Sequence, residues 1–209
     1  MKYKKLKKCR LCSSSKLKIF INFNKMPLAG AFLNKNQIRK EFKYPMAMQF
    51  CTNCSNVQVD TVIPLDVLFK KYFYFSSNIK TLVNHFYNLS ELVRNKFLYK
   101  KKTIVLEIGC NDGVFLNHLS KYDNIKCIGV DPAKNVVKKI KNKKITVFNK
   151  PFNYNLATKI KSKTGTVDLI VSSFSFGHID DMDSVAKAIN HLLDKNGVFI
   201  FEIYYLGTV

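Results

Sequence analysis

At 209 residues the chain can bury a real core, enough for one medium domain or a small one joined to a larger one. A hydrophobic content of 47% excludes a disordered chain, and no apolar run approaches the roughly 18 residues of a membrane span. The net charge of +21 comes from lysines scattered along the whole chain, with arginine only at Arg10, Arg39 and Arg94, so it reads as a compositional bias and argues against a nucleic-acid-binding stripe.

The basic start leads into no apolar signal segment, which predicts a cytoplasmic chain with reduced thiols. Residues 1–65 hold four of the six cysteines, as Cys9-Arg10-Leu11-Cys12 and Cys51-Thr52-Asn53-Cys54. Each Cys-x-x-Cys knuckle can turn two thiolates toward one tetrahedral Zn²⁺, so together they predict a closed, structural Cys₄ site in a small zinc-binding domain. The 38 residues between the pairs exceed the usual ribbon spacing and require an extra hairpin. Disulfides and a redox Cys-x-x-Cys are the alternatives; the first is disfavoured by compartment and the second needs no duplicate. Residues 66–102 read as a helical connector, with Leu65, Leu68, Phe69 and Tyr72, then Leu82, Phe86, Leu89, Leu92 and Val93, at helical spacing.

From residue 103 to 209 apolar strands and amphipathic helices alternate. Strands are expected at 103–108, 126–130, 145–148, 167–172 and 197–203, with helices at 114–121, 134–141 and 182–193. This pattern predicts an α/β fold, a Rossmann-like parallel sheet of about five strands covered on both faces. Cys110 and Cys127 fall at or in strands and read as packing residues.

The first strand runs through Glu107-Ile108-Gly109-Cys110-Asn111-Asp112-Gly113 into a helix. Gly109 and Gly113 would let backbone approach a ligand at the carboxyl end of the strand. The full three-glycine dinucleotide pattern is absent. Glu107 disfavours phosphate but suits the sulfonium and ammonium of S-adenosylmethionine. Asp131, at the end of the second strand in Gly129-Val130-Asp131-Pro132, can accept both ribose hydroxyls of an adenosine. Another nucleotide on a doubly wound sheet remains the alternative.

Taken in order, these segments resemble the S-adenosylmethionine-dependent C-methyltransferases of nucleotide-linked deoxysugars. The similarity also rests on 26–32 (Met-Pro-Leu-Ala-Gly-Ala-Phe), 54–58 (Cys-Ser-Asn-Val-Gln), 72–77 (Tyr-Phe-Tyr-Phe-Ser-Ser), His85, Gly177-His178-Ile179 and the last strand with its Tyr204-Tyr205-Leu206 tail. It implies a zinc-binding domain, a class I methyltransferase domain and a further carboxyl-terminal domain. It also implies methylation of a carbon beside a sugar ketone, by proton removal to an enolate that displaces methyl from sulfonium. Carried over by position, Glu107, Gly109, Asn111, Gly113, Asp131 and Pro132 line the cofactor site. Tyr72, Tyr74 and Ser77 sit over cofactor and sugar, and His178 contacts the substrate or assists proton movement, with Tyr74 beside it. His85 matches the family either functionally or as a packing residue; His118 and His191 receive no role.

Two departures stand out. Phe174 replaces the asparagine usual in that family, and the stretch with the family's His-Glu-His base, its last strands and its further domain is not in this sequence. The expected partner is a nucleotide-sugar, with a separate chain as one source of the remainder. A small-molecule O- or N-methyltransferase and a zinc-containing nucleic-acid-binding module are the competing functions.

Overall fold

In the computed structural model, which describes residues 3–30, 32–69 and 71–208, the chain divides into two compact units. One runs up to Tyr74 and takes in Asp180–Met182; the other is Phe75–Ile179 with the chain from Asp183 onward. Ala31, within the 26–32 motif, lies outside the described residues.

The first unit is antiparallel. Strand β1 (Lys4–Lys5) pairs with β5 (Thr61–Val62), while β2 (Leu17–Met26), β3 (Tyr44–Cys51) and β4 (Val57–Val59) form a three-stranded sheet in the order β2-β3-β4. The extra hairpin required between the cysteine pairs is β2 with β3, whose register sets Leu17 opposite Cys51. The short α1 (Lys35–Ile38) lies in its connection, and α2 (Leu65–Phe69) follows β5.

The second unit opens with a 3₁₀ turn, Ser76–Asn78, and helix α3 (Lys80–Phe97). It continues as β6 (Thr103–Ile108), α4 (Val114–Leu119), β7 (Ile125–Val130), α5 (Lys134–Val137), β8 (Ile145–Phe148), α6 (Tyr154–Thr164), β9 (Val167–Ser173), a 3₁₀ turn at Phe176–His178, α7 (Met182–Leu192) and β10 (Leu193–Glu202). All five strands pair parallel in the order β10-β9-β6-β7-β8. The chain moves outward from β6 to one side and then fills the other. That reversal leaves a crevice at the carboxyl ends of β6 and β9, where open α/β sheets bind ligands.

Strand alternation sorts the core into two faces. Val105, Cys127, Leu169 and Val171 pack with Phe86 and Val93 of α3 and Phe115 and Leu119 of α4. Leu106, Ile108, Ile128, Val130 and Ile170 pack with Leu156 and Ile160 of α6 and Val185, Ile189 and Leu192 of α7. Fully buried side chains such as Phe115 and Leu106 each stabilise the fold by about 1.5–3 kcal/mol.

The strands expected at 103–108 and 145–148 are found unchanged, and the parallel sheet is confirmed. Three local expectations are corrected. Helix does not run through 66–102: it covers Leu65–Phe69 and Lys80–Phe97, and 71–75 is non-helical. The run Tyr72-Phe73-Tyr74-Phe75 carries aromatic rings on every side, so a helix there has no polar face to give water. The helix expected at 134–141 closes after one turn, at Val137. The last strand begins earlier than expected, at Leu193, and slips register before Val198 because Leu193 and Val198 pair with Val167 and Leu169. Among the described residues no helix is long and apolar enough to cross a membrane.

Candidate active site and metal centre

In the first unit the two knuckles have the same backbone. Ser13 and Ser55, each one residue past its second cysteine, take left-handed φ of 59° and 60°, and their N–H groups donate to Cys9 and Cys51 carbonyls at 3.0 and 2.9 Å. The four Sγ atoms lie within 4.8 Å of one another, with Cys9–Cys54 and Cys12–Cys51 at 3.6 Å. Tetrahedral Zn–S bonds of about 2.3 Å place sulfurs roughly 3.8 Å apart, so the set fits zinc and is far too open for disulfides. Asn53 and Asn56 amides donate to the sulfurs of Cys12 and Cys9, each at 3.6 Å. The Ser14 N–H and then Cys54 pull the Cys12 thiol down to about 6. Cys54, although the Asn56 N–H favours its thiolate, is pushed up to about 12 by Cys12 and by burial. Crowded thiols thus share few negative charges until a cation joins them. Cys110 and Cys127 are buried, and burial pushes both thiols up, as suits packing residues.

In the second unit the carboxyl edge of the sheet gathers acids. Glu107 is only 3% exposed, and its Oε2 has no hydrogen-bond partner among the described residues. Burial, then the charges of Asp131, Asp112 and Glu202, push its carboxyl well above the usual range. Asp131 is buried too, and burial raises it. Its oxygens accept from the Asn111 N–H at 3.0 Å and the Ala133 N–H at 2.8 Å, which fixes the loop after β6 against the loop after β7. Pro132, half-buried, separates these contacts. Asn111 itself sits at φ 49°, and its Oδ1 accepts from the N–H groups of Ser76 and Asp112. A nest of carboxylates with orphaned oxygens is a poor place for phosphate and a good one for a sulfonium and an ammonium.

The glycines answer first to the protein's own packing. A Cβ on Gly109 (φ 77°) would collide with Ser175, whose hydroxyl donates to the Ile108 carbonyl at 2.7 Å. A Cβ on Gly113 (φ 80°) would meet Ile140 at 3.1 Å.

Asp112 and Glu202 both fall in segments that carry the family resemblance, and neither is given a role by the sequence. Asp112 Oδ2 accepts from the Ser77 hydroxyl at 2.5 Å and its N–H at 3.3 Å, so Ser77 ties the start of α3 to the β6 loop. A second acid one residue past Asn111 was the available signal. Glu202 ends β10, accepts from His85 Nε2 at 2.8 Å through Oε1, and buries an unpartnered Oε2. An acid closing an apolar last strand was the signal there. His178 is exposed in the 3₁₀ turn after β9. Tyr72 and Tyr74 belong to the first unit, with rings 6.5 Å apart. Phe174 takes φ 54° at the end of β9, a conformation that asparagine tolerates far better than phenylalanine.

Residues 83–206 match the family described as a methyltransferase domain, more than half of the chain. The chain belongs to the methyltransferase-domain family. Residues 9–69 match a zinc-binding-domain family. The chain is 27% identical over 199 residues to the C-methyltransferase NovU of Streptomyces niveus, covering 95% of this chain and 47% of that protein. It therefore spans about half the length of the curated relative it matches. Among solved structures, the plantazolicin methyltransferase BpumL in complex with SAH is 18% identical, with a TM-score of 0.48 over 60% of this chain and 49% of that one. Coclaurine N-methyltransferase, bound to N-methylheliamine and SAH, is 19% identical, with a TM-score of 0.45 over 61% and 38%. The five-stranded parallel sheet lies within the stretch matched by the methyltransferase-domain family, and the Cys₄ cluster, which fits zinc, lies within the stretch matched by the zinc-binding-domain family.

Proposed function

We propose that this methyltransferase transfers the methyl group of S-adenosylmethionine to a carbon beside the ketone of a nucleotide-linked keto-deoxysugar. The observation that carries this reading is the match to a C-methyltransferase across 95% of the chain. The acidic carboxyl edge supports the cofactor half. Glu107 faces the cation, and Asp131, held by two backbone N–H groups, keeps lone pairs for ribose hydroxyls. S-adenosylmethionine, when bound, supplies an electrophilic methyl. The chain orients that methyl and the acceptor carbon, and keeps the carboxylates from being solvated so that a cation is preferred. The positive field of +21 favours a doubly charged sugar nucleotide over a neutral acceptor. Zinc holds the first unit together and leaves no open position for chemistry. The cytoplasm is the compartment this proposal assumes, since the thiols must stay reduced.

The test is incubation of the chain with [methyl-¹³C]-S-adenosylmethionine and a nucleoside-diphosphate keto-deoxyhexose, followed by NMR. A new methyl carbon bonded to carbon supports the proposal. A methyl on oxygen or nitrogen instead, or cofactor binding with the sugar left unmodified, overturns it in favour of a small-molecule O- or N-methyltransferase.

A further inference from the structure

Strand β9 ends on Ser173, which pairs with Glu202 at the end of β10, so the next residue, Phe174, leaves the sheet at its carboxyl edge. Hydrogen bonds on both sides pin it there. The Phe174 N–H donates to the Glu202 carbonyl at 2.8 Å, and the hydroxyl of the following Ser175 donates to the Ile108 carbonyl at 2.7 Å. Ser175 also fills the space above Gly109, where a Cβ would collide with it. Phe174 is thereby held between the end of β10 and the loop that carries Glu107 and Gly109, at the rim of the crevice.

The backbone of Phe174 takes φ 54°, a left-handed conformation that a side chain with a Cβ enters only at a cost. Core packing does not account for it, because the residue is 37% exposed while the sheet around it is filled by fully buried side chains. Its ring has two neighbours, Tyr204 at 5.4 Å and tilted by 40°, and His85 at 6.4 Å. Both are themselves exposed. A strained residue therefore presents an aromatic face, with a second ring beside it, next to the acids that suit the cofactor's cation. Strain of this kind clusters at ligand-binding positions, where the side chain is needed in that place. The chemistry of such a face is selective. A hydroxyl laid on it gives up its hydrogen bond to water and gains none, whereas a C–H group loses nothing and adds apolar contact.

We infer that Phe174 is a specificity-determining residue for the acceptor, and that the sugar lies on its ring through a carbon bearing hydrogen in place of hydroxyl. This rests on the reading above, that the acceptor is a nucleotide-linked deoxysugar, and narrows it to one deoxygenated at the carbon over the ring. Phe174 has no proton to give or take, so its part is to choose which acceptor enters. The choice is made at the cost of backbone strain.

Selection can be read from binding, without methyl transfer. The full chain, saturated with S-adenosylhomocysteine, is titrated calorimetrically with a nucleoside-diphosphate keto-hexose and with analogues that each lack one ring hydroxyl. Wild type should bind one analogue at least about tenfold more tightly than the hydroxylated parent. Phe174→Asn, which tolerates the backbone and offers an amide to a hydroxyl, should lose that preference, chiefly through weaker binding of the analogue. Phe174→Leu, apolar but without a ring face, should keep part of it. Both variants should bind S-adenosylhomocysteine as wild type does, which also shows that they fold. Nucleoside diphosphate alone should bind all three proteins alike. A wild type that binds parent and analogues equally overturns the assignment, as does a Phe174→Asn variant with the wild-type ratio. A loss that appears equally with nucleoside diphosphate alone overturns it too, because the ring then stacks on the base. A purely structural role would shift the melting temperature and leave the ratio unchanged. If no sugar nucleotide binds more tightly than nucleoside diphosphate, the substrate reading fails first and the specificity assignment with it.

Discussion

Glu107 concentrates the site's cost in one side chain. A carboxyl that is 3% exposed, with one oxygen unpartnered and three acids nearby, is stable when protonated and poorly stable when charged. Its folded pKa is raised, so its stabilising contribution is complete below the ordinary value near 4.5 and is lost as pH rises through the folded value. Glu107→Gln removes that loss. The ligand-free variant is therefore expected to melt above wild type by several degrees at about pH 8, and by less at about pH 5. The same variant should bind S-adenosylmethionine at least about tenfold more weakly, a difference near 1.4 kcal/mol, because the cation loses its counter-charge. Calorimetric titration and melting curves at both pH values check this, and an equal melting shift at both would contradict it. Phe174 is a second residue whose local cost is visible. Left-handed backbone costs a side chain with a Cβ about 1–2 kcal/mol, while its ring contact with Tyr204 is worth about 0.5–1.5 kcal/mol. Phe174→Asn is expected to leave stability unchanged or to raise the melting temperature, by about 2–4 °C per kcal/mol relieved. A clear fall in thermal unfolding would mean that the ring contacts outweigh the strain.

At the scale of elements, the knuckles make the sharpest claim. Two turns of matching backbone bring four sulfurs within 4.8 Å, and β2 of unit 1 is exposed along nearly its whole length. Its order should therefore depend on the metal. Purified protein is expected to carry about one zinc per chain, and Cys51→Ser, which removes a fully buried ligand, should bring that near zero. The zinc should also bind less tightly as pH falls, because protons compete for the thiolates. Elemental analysis and competition with a chromogenic chelator read both effects. The elements also show what was legible from residues alone. β6 and β8 were readable to the residue, since buried parallel strands are short unbroken apolar runs flanked by turns. The Glu107–Asp131 constellation was readable because both acids fall at strand ends. The stretch 71–75 was not, because aromatic residues score well in either structure and their period decides little. The early start of β10 was also hidden: its first half carries Asp194, Lys195 and Asn196, which read as a loop. The His85–Glu202 pair lies 117 residues apart in sequence, and only the register of β10 on β9 brings the acid to the helix.

For the whole molecule, charge is the dominant global term. Lys and Arg number 35 against 14 Asp and Glu, leaving +21, well beyond the magnitude of about 2–8 suited to a small domain. Self-repulsion of this size opposes the compact state. Ion pairs act in the other direction. Lys144–Asp123 closes at 2.8 Å between two exposed side chains, and Lys100–Asp168 at 2.5 Å joins a half-exposed lysine to a mostly buried acid. Solvated lysines in such pairs gain little from them, too little to offset the excess of lysine. Salt screens both, shortening the Debye length from about 20 Å near 20 mM to about 6 Å near 300 mM. Repulsion among scattered lysines acts over the longer distances and is screened first, while contacts under 3 Å persist. The melting temperature of the ligand-free protein is therefore expected to rise by several degrees across that range, in a chloride salt that does not strip zinc. Binding of a sugar nucleotide should respond in the opposite sense, weakening as the positive field is screened. A melting temperature that falls with salt would show that the few ion pairs outweigh the net charge, and would remove the electrostatic argument for a doubly charged acceptor.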